Sequence, residues 1–230
     1  DNDPCLTWNN KMTQNSQFCQ KLTNLNIKEL QYQNSLGTNL KIELPKNAIW
    51  CGGTSNIKGS NLLVNIPTEE VFTTPNKFKT NGIVYCSKPL IHSGIVIKDI
   101  NLTFTNGKIT NYYASSGIDE LKNIIEFDSE SSMLGEVALV DYNSKISASN
   151  ILFYETLYDE NASCHIALGR GFKECLKDGN KLDEPSLESI GYNKSENHVD
   201  IMIGTSDLSI IATTYDNKTI EIFKNGSFNI

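Results

Sequence analysis

The sequence predicts an α+β fold, a mixed and largely antiparallel β-rich domain with a few helices. Two observations point to this class. Apolar runs of strand length follow one another closely, and Asn-Gly pairs typical of hairpin turns stand at 106–107 and 225–226. Few helix-length segments separate these runs, which disfavours the regular alternation of a doubly wound α/β fold. No internal repeat or linker divides the chain, so we expect a single domain over residues 1–230.

Three helices are predicted from apolar spacing. The first covers 7–33, where apolar residues recur at roughly helical intervals. The second, over 118–127, is short and amphipathic, with acidic residues in its first turn, where the helix dipole favours them. The third is predicted over 163–177.

The strands are predicted from short apolar runs that end at turn-forming residues. They cover 40–44, 62–66, three successive runs within 82–104, 108–115, 135–140, 199–203 and 220–223. The paired Gly52 and Gly53 predict a tight turn, or a backbone that another segment approaches closely.

Composition and charge exclude several classes of protein. With 39% hydrophobic and 20% charged residues, the 230-residue chain has an ordinary globular composition rather than a disordered one. The formal net charge of −7 and a single arginine, Arg170, argue against a nucleic-acid-binding face. No apolar run reaches the length of a membrane span. We therefore expect neither nucleic acid nor a membrane as a partner.

The cysteines show no metal-binding or redox motif. Their spacing is wide and irregular, without a CxxC pair. Three disulfides are possible, but a chain of this length does not need them, so we expect reduced thiols in a cytoplasmic protein. The six residues are Cys5, Cys19, Cys51, Cys86, Cys164 and Cys175.

A histidine and a carboxylate are spaced for one face of a strand. His198 and Asp200 stand at i and i+2 in HVDIMIG, so both side chains point the same way if this run is extended. Imidazole nitrogen and carboxylate oxygen are both ligands for divalent cations. The alternative is an exposed polar face of an edge strand.

His165 and Glu160 form a second candidate group. With His165 near the start of the predicted third helix, Glu160 lies in the preceding loop and can fold back beside it. The alternative is a helix-capping loop next to a core histidine. Cys164 raises the possibility of a thiol nucleophile, but neighbours on a helix point about 100° apart, so adjacency does not create a Cys-His dyad.

Adjacent glutamates follow an apolar run and Pro67. Glu69 and Glu70 therefore sit in a constrained turn, where one can bind a metal and the other can act as a general base. The alternative is a helix start capped by Thr68 with acidic residues in its first turn.

One glutamate interrupts an apolar strand. Glu136 stands in GEVALV, where a charge is costly to bury unless it is paired or binds a metal, so a functional role is expected. His92 has no acidic residue within four positions and is predicted to be a loop or surface histidine.

Four sequence blocks together resemble the aminopeptidase T and aminopeptidase S family of metallopeptidases. The blocks are NIPTEEVFTTP (65–75), LGEVALV (134–140), LYDENASCHIALGRGF (157–172) and HVDIMIG (198–204). Further similar segments occur in the same order over essentially the whole chain. The resemblance implies a metal-binding catalytic domain that corresponds to the carboxy-terminal half of the family, without its amino-terminal domain.

The resemblance also implies a reaction and a ligand set. We expect an aminopeptidase that uses two divalent ions, zinc, cobalt or manganese, to hydrolyse amino-terminal residues from peptides with free amino termini. A homodimer is expected as well. The metal ligands implied are Glu70, Glu136, His165, His198 and Asp200, with Glu160 as a further metal-site carboxylate. Glu136 or Asp200 is the expected bridging ligand, and Glu69 is the expected general base.

One position departs from the family pattern. Phe172 replaces a tyrosine that usually follows the motif histidine by seven residues, so a hydroxyl near the metals is lost. If that hydroxyl stabilises the transition state, its loss costs about 2.7–4 kcal/mol in the barrier, unless Tyr154, Tyr158 or Tyr192 substitutes. The alternative function is a catalytically silent fragment, or a dimerisation or peptide-binding domain, that keeps the aminopeptidase fold.

Overall fold

Two antiparallel sheets share one hydrophobic core. The computed structural model describes residues 3–63 and 65–230, and the main core cluster contains side chains from both sheets. Each strand pair within these described residues is antiparallel. The predicted α+β class is confirmed.

The helices are few and mostly short. They are α1 (Pro4–Asn24), α2 (Ile118–Ile125), α3 (Lys145–Ser149), α4 (Thr156–Asp159) and α5 (Glu184–Ser189). Single 3₁₀ turns cover Glu160–Ala162, Lys173–Cys175 and Gly179–Lys181. The helix α1 begins where the side chain of Asp3 accepts a hydrogen bond from the backbone N–H of Leu6, an ordinary N-cap.

The strands supply most of the ordered structure. They are β1 (Ile27–Gln33), β2 (Asn39–Glu43), β3 (Thr54–Ile57), β4 (Ser60–Leu63), β5 (Val71–Thr73), β6 (Thr80–Tyr85), β7 (Leu90–His92), β8 (Ile95–Ile97), β9 (Asn101–Thr105), β10 (Lys108–Tyr113), β11 (Leu134–Leu139), β12 (His165–Gly169), β13 (His198–Met202), β14 (Ser209–Thr214), β15 (Thr219–Lys224) and β16 (Ser227–Phe228).

The larger sheet has the order β10-β9-β6-β2-β1-β14-β15-β16, and the smaller has the order β13-β12-β11-β5. Two separate hairpins pair β3 with β4 and β7 with β8. In the smaller sheet every residue of β11 and β12 is buried, because both faces are covered.

Most predicted elements are present with small shifts of their ends. The strands predicted over 40–44, 108–115, 135–140, 199–203 and 220–223 correspond to β2, β10, β11, β13 and β15, and the helix over 118–127 corresponds to α2. The Asn106-Gly107 pair forms the predicted hairpin turn, with φ of 49° and 87°. The run predicted over 62–66 includes residue 64, which lies outside the described residues.

The first predicted helix is too long. It ends at Asn24, and Asn26 takes the left-handed conformation with φ of 49° before the chain enters β1. Leu30 and Tyr32 then alternate with more exposed residues, and β1 pairs with β2 and β14 in the middle of the larger sheet. Pairing on both edges outweighed the apparent continuation of the helical spacing.

The helix predicted over 163–177 is wrong. This segment is β12, a central strand of the smaller sheet, followed by the 3₁₀ turn Lys173–Cys175. A strand buried on both faces reads as a continuous apolar run without alternation, so its spacing does not distinguish it from a buried helix. Gly169, with φ of +94°, ends the strand.

A buried lysine joins three separate segments of the chain. Lys77 is 1% exposed, and its Nζ lies 2.7 Å from Glu130 Oε1 and 2.9 Å from Glu188 Oε2. Glu130 lies in the segment before β11, and Glu188 lies in α5. The charge is therefore paired twice, as burial of an ammonium group requires.

Replacing this lysine tests the importance of the buried ion pairs. We expect Lys77→Met to lower the free energy of unfolding by about 3 kcal/mol, because the half-buried Glu130 loses the cationic partner that lies buried beside it. Lys181→Met is the matched control, since Lys181 pairs with Asp178 at the same 2.7 Å distance but is exposed. Urea unfolding should separate the two variants, and equal midpoints would contradict the prediction.

Candidate metal centre

The smaller sheet presents one face to the core and the other to a cavity. Successive side chains of a strand point to opposite faces. The core face carries Val71, Val137, Leu139, Ile166, Leu168, Val199 and Ile201. The intervening positions point to the opposite face and are acidic residues or histidines. They are Glu70, Glu136, His165, His198 and Asp200.

Strand register brings these polar residues together. Glu136 of β11 and Asp200 of β13 both lie opposite Ala167 of the intervening strand β12. His198 lies opposite Gly169 of β12 in the same way. Because the central strand contributes only small residues at these positions, the larger side chains on either side have room to converge.

A β-bulge sets the direction of Glu136. The register shifts between Leu134 and Glu136, so one extra residue is inserted there. Leu134 consequently points into the core although it stands only two positions before Glu136. A side chain at Gly135 is not accommodated, because its Cβ would lie 2.1 Å from the carbonyl oxygen of Gly169.

Close contacts join the acids to the histidines. His165 Nε2 lies 3.1 Å from Glu70 Oε2. His198 Nε2 lies 3.3 Å from both Glu136 Oε2 and Asp200 Oδ1. Two sets of three possible ligands result, each with ligand atoms within 4.8 Å of one another: Glu70, Glu136 and His165, and Glu136, His198 and Asp200. The two sets share Glu136.

The histidines are oriented as metal ligands. His165 Nδ1 lies 3.0 Å from the carbonyl oxygen of Ser163, and His198 Nδ1 lies 2.8 Å from that of Arg170. A carbonyl oxygen only accepts, so Nδ1 donates in both rings and the neutral tautomer leaves a lone pair on Nε2. That lone pair faces carboxylate oxygens, an arrangement that needs a cation or a further proton between them. This is the usual orientation of metal-binding histidines.

One acceptor atom in the group receives no hydrogen bond. Asp200 Oδ1 is buried and accepts no hydrogen bond within the described residues. An unsatisfied carboxylate oxygen inside a protein is costly. The orphaned oxygen, the two oriented Nε2 atoms and the converging carboxylates together fit a divalent cation.

Crowding of negative charge perturbs the pKa values in this group. Burial, with Glu70 and Asp200 nearby, raises the pKa of Glu136 to about 7, although the contact with His198 offsets part of the effect. Burial and the same two neighbours raise the pKa of Glu160 to about 9. For His198 burial lowers the pKa, but Asp200 and Glu136 outweigh it and raise the value to about 11. Each shift shows a shortage of positive charge at the site.

The remaining predicted acids occupy different positions. Glu160, in the first 3₁₀ turn, lines the cavity but belongs to neither set of three ligands. Glu69 is buried and points elsewhere, with its Oε2 only 2.5 Å from Lys11 Nζ of α1. Its backbone N–H donates to Asn161 Oδ1 at 2.6 Å. Adjacent residues of an extended segment point opposite ways, so Glu70 faces the site and Glu69 faces α1.

The cavity beside these residues has a volume of about 780 Å³. Its lining combines acidic residues with the apolar side chains of Trp50, Phe72, Leu157 and Phe172. Gly52 also lines it, and a Cβ there would lie 2.6 Å from the carbonyl oxygen of Glu70. The close approach predicted for the paired glycines is therefore confirmed at Gly52.

Phe172 contributes a ring, not a hydroxyl, to the wall of this cavity. It makes edge contacts with Phe72 and His198, at centroid distances of 5.2 and 5.1 Å. No tyrosine lines the cavity within the described residues. The hydroxyl group of Tyr192 donates a hydrogen bond to the carbonyl oxygen of Gly171 at 2.8 Å, and the side chain of Tyr154 is 64% exposed.

The other candidates fall outside the site. Cys164 is buried, and burial raises its pKa to about 12, while its Sγ contacts the backbone of Val140. As neighbours in extended chain, Cys164 and His165 point to opposite faces. His92 lies in β7, not in a loop, and its Nδ1 is 2.6 Å from Glu120 Oε1, a partner 28 residues away that local sequence does not reveal.

Comparison with known families identifies the chain. The model of the thermophilic metalloprotease family (M29) matches residues 1–228. The chain belongs to the M29 family. The resemblance drawn from the four sequence blocks is thereby confirmed, and membership of a metalloprotease family implies that the protein uses divalent metal.

Named relatives agree with M29 membership. The chain is 42% identical over 229 residues to aminopeptidase AmpS of Bacillus subtilis (strain 168), covering 99% of this chain and 56% of that protein. It is 32% identical over 230 residues to aminopeptidase T of Thermus thermophilus, covering 97% and 54%. The chain thus spans about half the length of the curated relatives it matches.

Solved structures support the same fold. Wild-type AmpT from Thermus thermophilus superposes with a TM-score of 0.92 at 30% identity, over 99% of this chain and 56% of that one. A 2,5-dihydroxypyridine dioxygenase from Pseudomonas putida KT2440 matches with a TM-score of 0.62 at 14% identity, over 93% and 59%. The second likeness shows a shared fold alone. Among the described residues, no helix has both the length and the hydrophobicity needed to span a membrane.

One aspartate ties together the segments that lead into β11 and β13. Asp128 Oδ1 accepts from the backbone N–H groups of Glu130 and Ser131, at 2.8 and 2.9 Å. Its Oδ2 accepts from Ser195 Oγ at 2.7 Å and from the backbone N–H of Glu196 at 2.9 Å. Burial raises the pKa of Asp128, but these hydrogen bonds outweigh it and lower the value to about 2. The ionised carboxylate thus helps to hold Glu136 and His198 in register.

We predict a pH-dependent loss of stability for Asp128→Asn. The folded-state pKa is below the usual value of 3.8, so the stabilisation is complete above about pH 4 and disappears as pH falls towards 2. The difference in melting temperature between wild type and variant should be largest near neutral pH and should shrink in acid. Calorimetry across this range checks the prediction, and a difference independent of pH would contradict it.

Proposed function

We propose that the chain is the single metal-binding catalytic domain of an aminopeptidase that binds two divalent ions. The observation that carries this proposal is the pair of ligand sets that share Glu136. A single ion would leave one oriented histidine and its carboxylates unused. Membership of the M29 family, with relatives named aminopeptidases, supports the reaction class.

The two sets divide the ligands between two ions. Glu70 and His165 would hold one ion, and His198 and Asp200 would hold the other. Glu136 belongs to both sets and would serve both ions, since a carboxylate offers two oxygens. Asp200, the other predicted bridge, belongs to the second set only. Zinc, cobalt and manganese all accept this combination of nitrogen and oxygen donors.

Hydrolysis also requires a proton acceptor near the scissile bond. When bound, the divalent ions supply Lewis acidity, which polarises a carbonyl group and lowers the pKa of water. Glu69 is the predicted acceptor, but its carboxylate is paired with Lys11 and would have to turn towards the cavity. Glu160 already lines the cavity and is uncommitted to either set, so it is the second candidate as well as the predicted further ligand.

The cavity walls indicate how an amino-terminal residue would bind. The side chain of the first substrate residue fits against the apolar residues Trp50, Phe72 and Phe172. The carboxylates of Glu160 and Glu174 line the same cavity and can bind a free α-ammonium group. Acidic recognition beside an apolar pocket favours peptides with free amino termini as substrates.

The assembly and the location belong to the same proposal. We propose a homodimer in the cytoplasm, as the family resemblance implies. The cysteines are consistent with a reducing compartment, because all six are free.

A catalytically silent domain is the second candidate function. The observation that favours it is Phe172 in the position of the family tyrosine, with no tyrosine lining the cavity among the described residues. Such a domain would bind metal and peptide without turnover. Leucyl-p-nitroanilide hydrolysis with added cobalt or zinc distinguishes the two: two bound ions with no turnover would favour the silent domain.

The bridging role of Glu136 predicts a cooperative loss of metal. We expect Glu136→Gln to lose both ions, since each set of ligands includes this carboxylate. Metal content by plasma mass spectrometry should fall from two equivalents to below one. Addition of zinc or cobalt should raise the melting temperature of wild type but not of the variant, because only wild type binds the ions in its folded state.

The matched control is Glu120→Gln. Glu120 also contacts a histidine, His92, but lies outside the metal site. It should keep two equivalents of metal and the wild-type response to added ions. If Glu136→Gln retained two ions, the shared ligand set would be wrong.

The role of Glu69 is testable against its partner on α1. If Glu69 is the general base, Glu69→Gln should keep its metal but lose about 100-fold or more in turnover. Lys11→Met frees the Glu69 carboxylate and should not cause this loss. Equal losses in both variants would instead show that the ion pair only positions the neighbouring Glu70, and a fully active Glu69→Gln would leave Glu160 as the candidate.

A further inference from the structure

Two thiols lie beside each other at the edge of the cavity. Cys51 is half-buried and lines the cavity, and Cys175 is fully buried behind it. The two residues are separated by more than half of the chain. Neither belongs to the ligand sets of the proposed metal site, and the proposed reaction uses neither of them.

Backbone pairing brings the two cysteines together. Residues 47–49 run antiparallel to residues 175–177. The backbone N–H of Lys177 donates to Asn47, and that of Ile49 donates to Cys175, each at 2.8 Å. An isolated bridge joins Ala48 to Leu176.

The side chains continue this pairing. Cys51 Sγ donates to the carbonyl oxygen of Glu174 at 3.4 Å. The backbone N–H of Cys51 and the thiol of Cys175 both donate to the carbonyl oxygen of Phe72, at 2.8 and 3.9 Å. In this arrangement each thiol directs its hydrogen at a backbone carbonyl oxygen. Their proximity is therefore fixed by the main chain on both sides.

The environment makes the two thiols chemically unequal. The neighbouring thiol of Cys175 lowers the pKa of Cys51, against the opposing effects of burial and Glu174. Burial and the neighbouring Cys51 raise the pKa of Cys175 well above its usual value. Burial also raises the pKa of Cys19, which lines the same cavity, to about 12. Cys51 is thus the accessible thiol of the group and the one with the greatest thiolate character.

We propose that Cys51 and Cys175 form a modification site that a peroxide converts to a disulfide. The Cys51 thiolate attacks one peroxide oxygen, the O–O bond breaks, and the departing hydroxide takes up a proton to give water and a sulfenic acid. Cys175 then attacks the Cys51 sulfur, the S–O bond breaks, and the hydroxyl leaves with the Cys175 proton as a second water. The two thiols are oxidised by two electrons, and the peroxide is reduced to water.

Disulfide formation would reshape the wall of the cavity. A disulfide has an S–S length of about 2.0 Å, much shorter than the contact distance of two unbonded sulfur atoms, so the turn containing Cys175 is drawn towards Cys51. This turn follows Phe172, whose ring contacts His198 at 5.1 Å, and contains Glu174 at the cavity. Oxidation should therefore slow hydrolysis. That consequence rests on the proposed aminopeptidase function, whereas the disulfide itself does not.

The test uses the purified metal-loaded protein and hydrogen peroxide in slight excess. Free thiols are alkylated, and the protein is digested without reduction for peptide mapping by mass spectrometry. We expect two of the six thiols to be lost, a peptide linked through Cys51 and Cys175, and full recovery with dithiothreitol.

Serine variants assign the pair. Cys51→Ser and Cys175→Ser should each abolish the linked peptide, while Cys19→Ser and the exposed, remote Cys5→Ser should leave it in place. The proposal is overturned if all six thiols remain, if Cys51 becomes a sulfinic acid without a disulfide, or if Cys51 links to Cys19. For an active protein, peroxide should lower wild-type turnover but not that of Cys175→Ser. Turnover unchanged by a complete disulfide would overturn the coupling to the site.

Discussion

The convergence of acidic side chains on one face of the smaller sheet is the constraint on which the rest of the structure depends. Glu70, Glu136 and Asp200 are buried there with His165, beside the half-buried His198, and their carboxylates repel one another. The opposite face of the same strands supplies part of the hydrophobic core. The sheet therefore has to be rigid enough to hold like charges together, and core packing on its other face supplies that rigidity.

Small residues and backbone irregularities make this arrangement possible. Ala167 and Gly169 in the central strand leave space for the acids and His198 on either side. The bulge before Glu136 directs a carboxylate into the site without moving Leu134 out of the core. Backbone carbonyl groups orient both histidines with Nε2 towards the carboxylates. This geometry suits a divalent cation.

The cavity wall connects the site to the segments around it. Gly52 packs against the backbone of Glu70, and the adjacent Cys51 pairs with Phe72 through two backbone hydrogen bonds. Phe172 joins this wall to His198 through its ring. A structural change at Cys51 or at Phe172 therefore affects Glu70 or His198 through direct contacts that involve only one or two residues.

The sequence by itself determined the fold class, the family and the acidic and histidine residues that converge, because local spacing and motif content carry that information. The i, i+2 spacing of His198 and Asp200 predicts that both side chains share one face, provided only that residues 198–200 are extended. Tertiary structure decided those features that depend on contacts between residues distant in sequence. It made 165–169 a central strand instead of a helix, directed Glu69 towards Lys11, and brought Cys51 beside Cys175. Periodicity cannot distinguish a doubly buried strand from a buried helix, and no local pattern encodes contacts across the chain.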